Sequence, residues 1–265
     1  MSHVYIMEKI LESIKNGKEV AMVTITSVKG SAPRDVGTSM AVLSDGTIYG
    51  TIGGGSLEKY IIDLCIEYIE KNKNGIVDLP LNKEGVDMIC GGQVEVFINV
   101  YKNKPKLLIA GGGHMGLALY KTASLLDFDI IVFEDRDNFL TRERFPKASE
   151  LVLGEIDEKL GDYPIDDNTY IVIVTRGHEY DEKILEKVIN SNAKYIGVMG
   201  SKRKVKIMMD NLRDKNISED VINKVYSPIG LDICDGSPEE IAFGIMSEIL
   251  IVKNDGKSSH NKKSL

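Results

Sequence analysis

The feature that most constrains the fold of this chain is an alternation, in its second half, of continuous apolar segments with helical ones. KLLIA (106–110), DIIVFED (129–135) and YIVIVT (170–175) each contain an uninterrupted apolar run. Such runs are typical of strands that are buried on both faces of a sheet. Because these strands alternate with helices, the sequence predicts a doubly wound α/β domain with a parallel sheet over residues 106–252.

The same alternation predicts the remaining elements of this half. Shorter strands are predicted at ELVLGE (150–155), at KYIGVMG (194–200) and near Tyr226. The intervening helices are predicted to follow a glycine turn at 111–116 and to begin near Asp181, Lys202 and Pro238. Residues 253–265 have no apolar face, and we predict a disordered tail there.

The first half has a different order of elements. Apolar residues at helical spacing predict a first helix that ends before Gly17, and β-branched residues predict a strand at 19–28. The pair Asp45-Gly46 lies between two apolar segments and predicts a β-hairpin. A glycine loop then leads into an amphipathic helix, and VEVFINV (94–100) is a predicted strand. We predict an N-terminal α/β domain with a β-hairpin over residues 1–100, followed by a linker, YKNKP, at 101–105.

Composition and charge argue against several classes of function. The formal net charge of −7 argues against general binding to nucleic acid or to an anionic membrane. No segment approaches the roughly 20 apolar residues of a membrane span, and the first residues lack the apolar core of a secretory signal. The 3 cysteines have no paired CxxC spacing, which argues against a disulfide framework or a structural zinc site. We therefore predict a cytoplasmic protein with neither a nucleic-acid nor a membrane partner.

The glycine turn IAGGGHMG (109–116) predicts a phosphate site of the dinucleotide-binding type. Gly111, Gly113 and Gly116 have GxGxxG spacing, which permits a tight turn and a close approach of the backbone to phosphate. The N-terminus of the helix that follows favours an anion. Asp135 comes about twenty residues later, where a Rossmann-like domain carries the acid that binds ribose hydroxyls.

Further polar residues follow the other predicted strands. Since the carboxyl ends of parallel strands meet at one edge of a sheet, we expect these residues to line one crevice for an anionic ligand. They are Arg136, Arg176, His178, Ser201 and Lys202. His114, inside the glycine turn, could contact the anion or cap the helix, and the sequence leaves both roles open. We expect His114 and His178 to point into the same crevice.

The N-terminal half contains a second candidate site. The glycine-rich loops GSAPRDVG (30–37) and GTIGGGSLE (50–58) flank the predicted hairpin, and Arg34 lies in the first of these loops. Three consecutive glycines, Gly53, Gly54 and Gly55, precede a helix. They could form a backbone nest for an anion, or they could simply permit tight turns.

The cysteines differ in their predicted roles. Cys65 lies on the apolar face of a helix and is expected in the core. Cys90 lies in a loop before two glycines, which makes it the first candidate for sulfur or metal chemistry. Cys234 precedes a helix N-terminus and ranks second.

Taken together, these segments resemble the XdhC/CoxI family, the xanthine dehydrogenase accessory factors. TSVKGSAPRDVGTSM, DGTIYGTIGGGSLE and CGG resemble the N-terminal domain of the family. LLIAGGGHMGLAL, FEDRDNFLTRERFPKA, VTRGHEYD, YIGVMGSKRK and SPIGLDICDGSPEEIAFGIMSEIL resemble its Rossmann domain. The sequence departs from the family at Cys234-Asp235, where glycine-alanine is expected, and this puts a role for Cys234 in doubt.

The resemblance implies a role in the maturation of another enzyme. Members of the family bind molybdenum cofactor, support its sulfuration with a cysteine desulfurase, and hand it to a molybdenum hydroxylase. For this chain, the resemblance implies a chaperone that has no catalytic residues of its own. Molybdopterin, or its dinucleotide form, would bind through its phosphate at the glycine turn, with Cys90 near the metal. A homodimer would enclose so reactive a cofactor.

Two other functions fit the same residues. An NAD(P)-dependent oxidoreductase would explain the glycine turn and Asp135 equally well, although a separate substrate domain with a proton-transfer set is not evident. A scaffold that links desulfurase to hydroxylase is the third interpretation. The identity of a co-purified ligand separates the three.

Overall fold

The computed structural model describes residues 2–81, 91–233 and 236–259, except for the side chains of His178 and Glu179. The chain forms two compact units, Met1–Asn103 and Lys104–Leu265. Cys90, Cys234 and the last residues of the predicted tail lie outside the described residues. No helix in the described ranges is both long enough and apolar enough to cross a bilayer.

In its described residues, 2–81 and 91–103, the N-terminal unit is an antiparallel sheet with two helices. Its elements are α1 (His3–Lys15), β1 (Val20–Lys29), β2 (Ser39–Leu43), β3 (Ile48–Gly50), α2 (Gly55–Glu70), β4 (Gly75–Pro80) and β5 (Gln93–Tyr101). The strand order is β3-β2-β1-β5-β4. Gly17 and Gly46 have φ of 77° and 80°, as expected for the residue after α1 and for the β2–β3 turn, so the predicted hairpin is confirmed.

Two features of this unit differ from the prediction. Strand β4 was not predicted, because it is an edge strand that ends in Pro80 and exposes Ile76, so its apolar pattern is weak. Strand β5 extends through Tyr101, the first residue of the predicted linker, because Tyr101 pairs with Val20 of β1.

The C-terminal unit is a six-stranded, fully parallel sheet. Its elements are β6 (Lys106–Ala110), α3 (His114–Ala123), β7 (Asp129–Glu134), β8 (Glu150–Leu153), α4 (Ile156–Gly161), β9 (Thr169–Ile173), α5 (His178–Val188), β10 (Tyr195–Val198), α6 (Lys202–Asp214), α7 (Glu219–Ile222), β11 (Val225–Tyr226) and α8 (Pro238–Lys253). The strand order is β11-β10-β9-β6-β7-β8, which reverses between β6 and β9. The predicted Rossmann-like, doubly wound sheet is confirmed.

Helices cover both faces of this sheet. One apolar cluster packs α3 and α8 on one face, with Leu119 and Ile245 fully buried. The other packs α4, α5 and α6 on the opposite face, with Leu185 and Leu212 fully buried. Because both faces are covered, the ligand-accessible part of the sheet is the edge formed by the strand ends and the loops that follow them.

Two helices of this unit were not predicted, and two helical boundaries differ from the prediction. The short helices α4 and α7 were not predicted, since one or two turns give little periodicity. Helix α5 begins at His178 rather than near Asp181, because Gly177 is its N-cap and Asp181 accepts hydrogen bonds from Thr175. Helix α8 includes Lys253, the first residue of the predicted tail.

Candidate functional site

A cleft of about 310 Å³ opens where the strand order reverses, between the carboxyl ends of β6, β7 and β9. It is lined by six of the residues predicted from the sequence, namely Gly111, Gly113, His114, Asp135, Arg136 and Arg176. We call it the switch-point cleft. The parallel sheet therefore brings together residues that lie up to 65 positions apart in the chain, as expected for a ligand crevice in this type of fold.

The three glycines of the GxGxxG turn have different physical roles. Gly111 has φ of +114°, and a Cβ there would lie 2.7 Å from the carbonyl oxygen of Val174. A Cβ at Gly116 would lie 1.8 Å from the carbonyl oxygen of Gly111, so that glycine lets α3 pack against the turn. A Cβ at Gly113 would meet nothing within 4 Å. The first and last glycines therefore shape the turn, and Gly113 faces open space in the cleft.

Gly112, which lies between the first two glycines of the motif, is held by side chains at both its N–H and its carbonyl group. The Gly112 N–H donates to Glu134 Oε2 at 2.8 Å, and its carbonyl accepts from Arg144 Nη2 at 2.8 Å. Glu134 is the last residue of β7, and Arg144 lies in the loop that follows it. The glycine turn after β6 is therefore fixed by the end of the neighbouring strand and its loop.

Glu134 is a buried carboxylate with a complete set of donors. Its side chain is 2% exposed and accepts from Arg136 Nε at 2.8 Å and Arg136 Nη2 at 3.0 Å. Burial alone would raise the pKa of Glu134, but hydrogen bonds from Arg136, Asp135 and the Gly112 N–H lower it to about 2. The group is therefore ionised near neutral pH, and Arg136 is locked onto it.

Two guanidinium groups of this network lie close to the aromatic ring of Phe139. The Arg136 guanidinium carbon lies 3.9 Å from the Phe139 ring centroid, and that of Arg144 lies 5.2 Å from it. These contacts, added to the bidentate pair with Glu134, hold Arg136 in one orientation. Glu134, Phe139 and Arg144 were not predicted as site residues, although all three lie in the segment FEDRDNFLTRERF that carries part of the family resemblance.

Asp135 and Arg176 form an ion pair at the cleft. Arg176 Nη2 lies 2.8 Å from Asp135 Oδ2, and Arg136 Nε lies 3.5 Å from Asp135 Oδ1. A hydrogen bond shared with the Glu134 carboxylate is the main cause of the raised pKa of Asp135, and partial burial adds to it. The Arg176 side chain is 59% exposed, against 17% for Asp135. Of the two arginines near Asp135, Arg176 is the more weakly held.

A second cleft, of about 460 Å³, adjoins the first and shares Thr175 and Arg176 with it. Ser201 and Lys204 also line it, and the Ser201 hydroxyl accepts from the Lys204 N–H as the N-cap of α6. Lys202 lines neither of these clefts but a third one, with Pro228 and Asp232. The structure thus separates Lys202 from the switch-point cleft, because the α6 N-terminus turns successive side chains to different sides.

Of the two predicted histidine side chains, the structure describes that of His114. His114 is the first residue of α3, is exposed and lines the switch-point cleft. His178 is the first residue of α5, and its side chain lies outside the described residues. The expectation that both point into one crevice stays a prediction.

The candidate residues of the N-terminal unit, Arg34 and the glycines at 53–55, do not line the same cleft. Arg34 lines a polar cleft of about 410 Å³ together with Thr38, Ser39 and Thr51. The three glycines at 53–55 are not among its lining residues and all have positive φ, between 65° and 136°. Glu58 of α2 accepts hydrogen bonds from Thr51 and Ile52 in the same loop. The three glycines therefore do not line the Arg34 cleft, and both of their predicted roles stay predictions.

Cys65 is buried in the core as predicted, and burial raises its pKa to about 12. Within the described ranges, no group of three or more histidine, cysteine, aspartate or glutamate side chains is arranged to hold a metal ion. Cys90 and Cys234 lie outside those ranges, so their roles stay predictions.

Two family models match the chain. The model described as the XdhC Rossmann domain matches residues 107–249, and the model described as the XdhC and CoxI family matches residues 13–80. The chain belongs to the XdhC/CoxI family. The switch-point cleft lies in the part that matches the Rossmann model, and Arg34 lies in the part that matches the other model.

Three curated proteins are similar to this XdhC/CoxI-family chain. Escherichia coli (strain K12) YqeB is 34% identical over 242 residues, which cover 89% of this chain and 44% of YqeB. A protein of Bacillus subtilis (strain 168), described as a probable xanthine dehydrogenase subunit, is 28% identical over 155 residues, 58% of this chain and 45% of that protein. The matched part is less than half the length of either relative. The E. coli (strain K12) molybdenum cofactor insertion chaperone PaoD is 19% identical over 282 residues, 95% of this chain and 89% of PaoD.

A solved structure shares the fold. The crystal structure of a xanthine dehydrogenase from Bacillus halodurans, at 2.80 Å resolution, matches 97% of both chains with a TM-score of 0.54 and 22% identity. At this identity the likeness concerns the fold alone.

Proposed function

We propose that this protein binds molybdenum cofactor through the cofactor's phosphate in the switch-point cleft, and that it supports insertion of the cofactor into a hydroxylase of the xanthine dehydrogenase type. The cofactor is cargo here, not a resident group. Membership of the XdhC/CoxI family supports this role, as does similarity to PaoD, a molybdenum cofactor insertion chaperone.

The observation that carries the proposal is the open space at Gly113. The turn brings backbone N–H groups and the N-terminus of α3 to that space, and Arg136 and Arg176 line the same cleft. Phosphate binds where backbone donors, a helix N-terminus and guanidinium groups surround a space that no side chain fills. Molybdopterin carries a phosphate, so the donor set fits this end of the cofactor.

The remaining parts of the proposal follow the resemblance to the family. We propose a cysteine desulfurase and a molybdenum hydroxylase as partners, and a homodimer as the working form. Cys90 is the proposed thiol near the metal end of the cofactor. Light scattering tests the homodimer, and a mass of about 29.3 kDa in solution, that of one chain, would contradict it.

An NAD(P)-dependent oxidoreductase is the second candidate. The reversal of the strand order between β6 and β9 and the GxGxxG spacing suit a dinucleotide equally well. Mass spectrometry of ligand released from protein purified without oxygen separates the functions. Molybdopterin or its dinucleotide supports the proposed role. NAD(P) would support the oxidoreductase, and the absence of a reproducible ligand would favour a scaffold that links desulfurase to hydroxylase.

A further inference from the structure

We infer that Asp135 is a competitor for the anionic ligand rather than a ribose-binding residue: its carboxylate holds Arg176 in an ion pair that a bound phosphate must break. The inference rests on the proposed phosphate site and reverses the role that the glycine turn alone predicts for the acid after the second strand of the sheet.

Both oxygens of the Asp135 carboxylate already face guanidinium groups. Oδ2 accepts from Arg176 Nη2 at 2.8 Å, and Oδ1 lies 3.5 Å from Arg136 Nε. An acid that binds a ribose diol accepts from two hydroxyl groups. A diol at Asp135 would therefore compete at Oδ2 with Arg176, which is the stronger donor because it is charged.

The two arginines near Asp135 differ in their freedom to move. Arg136 is 29% exposed, is bonded through two nitrogens to buried Glu134, and stacks on Phe139. Arg176 is 59% exposed, and within the described part of the chain its guanidinium group pairs with Asp135 alone. An ion pair with one exposed partner is weak, so an incoming anion can take Arg176 from Asp135.

Arg176 also has the right position for this exchange. It lines both the switch-point cleft and the adjoining cleft beside Ser201 and Lys204. A phosphate bound at the open side of Gly113 would offer Arg176 a second anionic partner within the same cleft. Asp135 then has two effects on binding, because it occupies Arg176 and because its own charge repels the phosphate.

The test is calorimetric titration of the full chain with two probes, inorganic pyrophosphate and ADP. Pyrophosphate has no ribose, so it reports only on the anion. Removing the charge with Asp135→Asn keeps the size of the side chain, and we expect both probes to bind about five- to tenfold more tightly than to the wild type. If Asp135 binds ribose instead, Asp135→Asn leaves pyrophosphate binding unchanged and weakens ADP binding, which would overturn the inference.

Two further variants show whether the gain depends on Arg176. Asp137→Asn removes a charge from an exposed residue in the same loop, and we expect less than a twofold change. The double variant Asp135→Asn with Arg176→Met should bind the probes only slightly more tightly than Arg176→Met alone, because most of the gain in affinity depends on Arg176. Equal gains with and without Arg176, or an equal gain from Asp137→Asn, would contradict the competitor role.

The outcomes also separate this inference from the proposed function. Pyrophosphate binding by the wild type with no gain in Asp135→Asn overturns the inference and leaves the phosphate site intact. No binding of either probe by any variant means that the switch-point cleft is not a phosphate site, and the inference fails with it.

Discussion

The backbone N–H of Gly112 donates to the Glu134 carboxylate at 2.8 Å, and this bond connects the glycine turn after β6 to the last residue of β7. The same carboxylate accepts from Arg136, which lines the cleft. One buried acid therefore positions both the backbone donors and a basic side chain of the proposed site. The stability of the turn and the geometry of the proposed phosphate site therefore both depend on Glu134.

Replacing Glu134 should destabilise the C-terminal unit. Glu134→Ala leaves the Gly112 N–H and the Arg136 guanidinium without their main acceptor, and we expect a loss of about 2–4 kcal/mol in the free energy of unfolding. The exposed Glu143, in the loop after β7, is the matched control, and Glu143→Ala should change stability by less than about 0.5 kcal/mol. Urea denaturation measures both, and equal losses would contradict the structural role of Glu134.

The contribution of Glu134 should also depend on acidity. Its pKa is lowered from 4.5 to about 2 in the folded chain, so its stabilisation is fully present above about pH 4.5. As the pH falls toward about 2, the carboxylate is protonated and this stabilisation is lost. Glu134→Gln should therefore differ from the wild type at pH 6 more than at pH 3. A stability difference that is the same at both pH values would show that ionisation of Glu134 does not contribute.

Substitutions at two glycines of the turn should differ in how much they destabilise the fold. Gly113→Asp places its side chain in open space at φ of −65°, and we expect the free energy of unfolding to change by less than about 1 kcal/mol. Gly116→Ala places a Cβ 1.8 Å from the backbone oxygen of Gly111, and we expect a loss of more than about 3 kcal/mol. Thermal unfolding compares the two, and a Gly113→Asp protein as unstable as Gly116→Ala would contradict the distinct roles.

The proposed thiol is tested by transfer of cofactor. Cys90→Ser keeps the size of the side chain but removes the soft ligand, so it should fold normally and activate an apo-hydroxylase less well than the wild type. Cys234→Ser, tested in parallel, should activate like the wild type because the family resemblance gives that position no role. If Cys90→Ser activates fully, binding depends on the turn and the basic residues alone.

Much of the fold could be predicted because its signals are local. The uniform apolar runs of β6, β7 and β9 identify strands buried on both faces, and GxGxxG identifies the turn between β6 and α3. Strand β4 and helices α4 and α7 escaped prediction because short or edge elements bury few residues and carry little periodicity.

The lining of the switch-point cleft could be predicted in outline, but its internal contacts could not. The strand ends supplied Asp135, Arg136 and Arg176, yet nothing in the sequence indicates that Asp135 pairs with a residue 41 positions away. The roles of Phe139 and Arg144 depend on how the loop after β7 folds back over Gly112, which is a tertiary relationship. Lys202 was placed in the site by its distance from a strand end, but the direction of its side chain is set by the first turn of α6.

The most direct test of a cofactor site at the glycine turn is the amount of molybdenum and pterin that remains bound to the wild type and to Gly113→Asp. Both proteins are purified without oxygen from cells that make the cofactor, and both metal and pterin are measured per chain. If phosphate binds at Gly113, the wild type retains both and the folded Gly113→Asp protein retains neither, because its carboxylate occupies and repels the phosphate position. Equal retention by a folded Gly113→Asp protein would contradict a cofactor site at this turn.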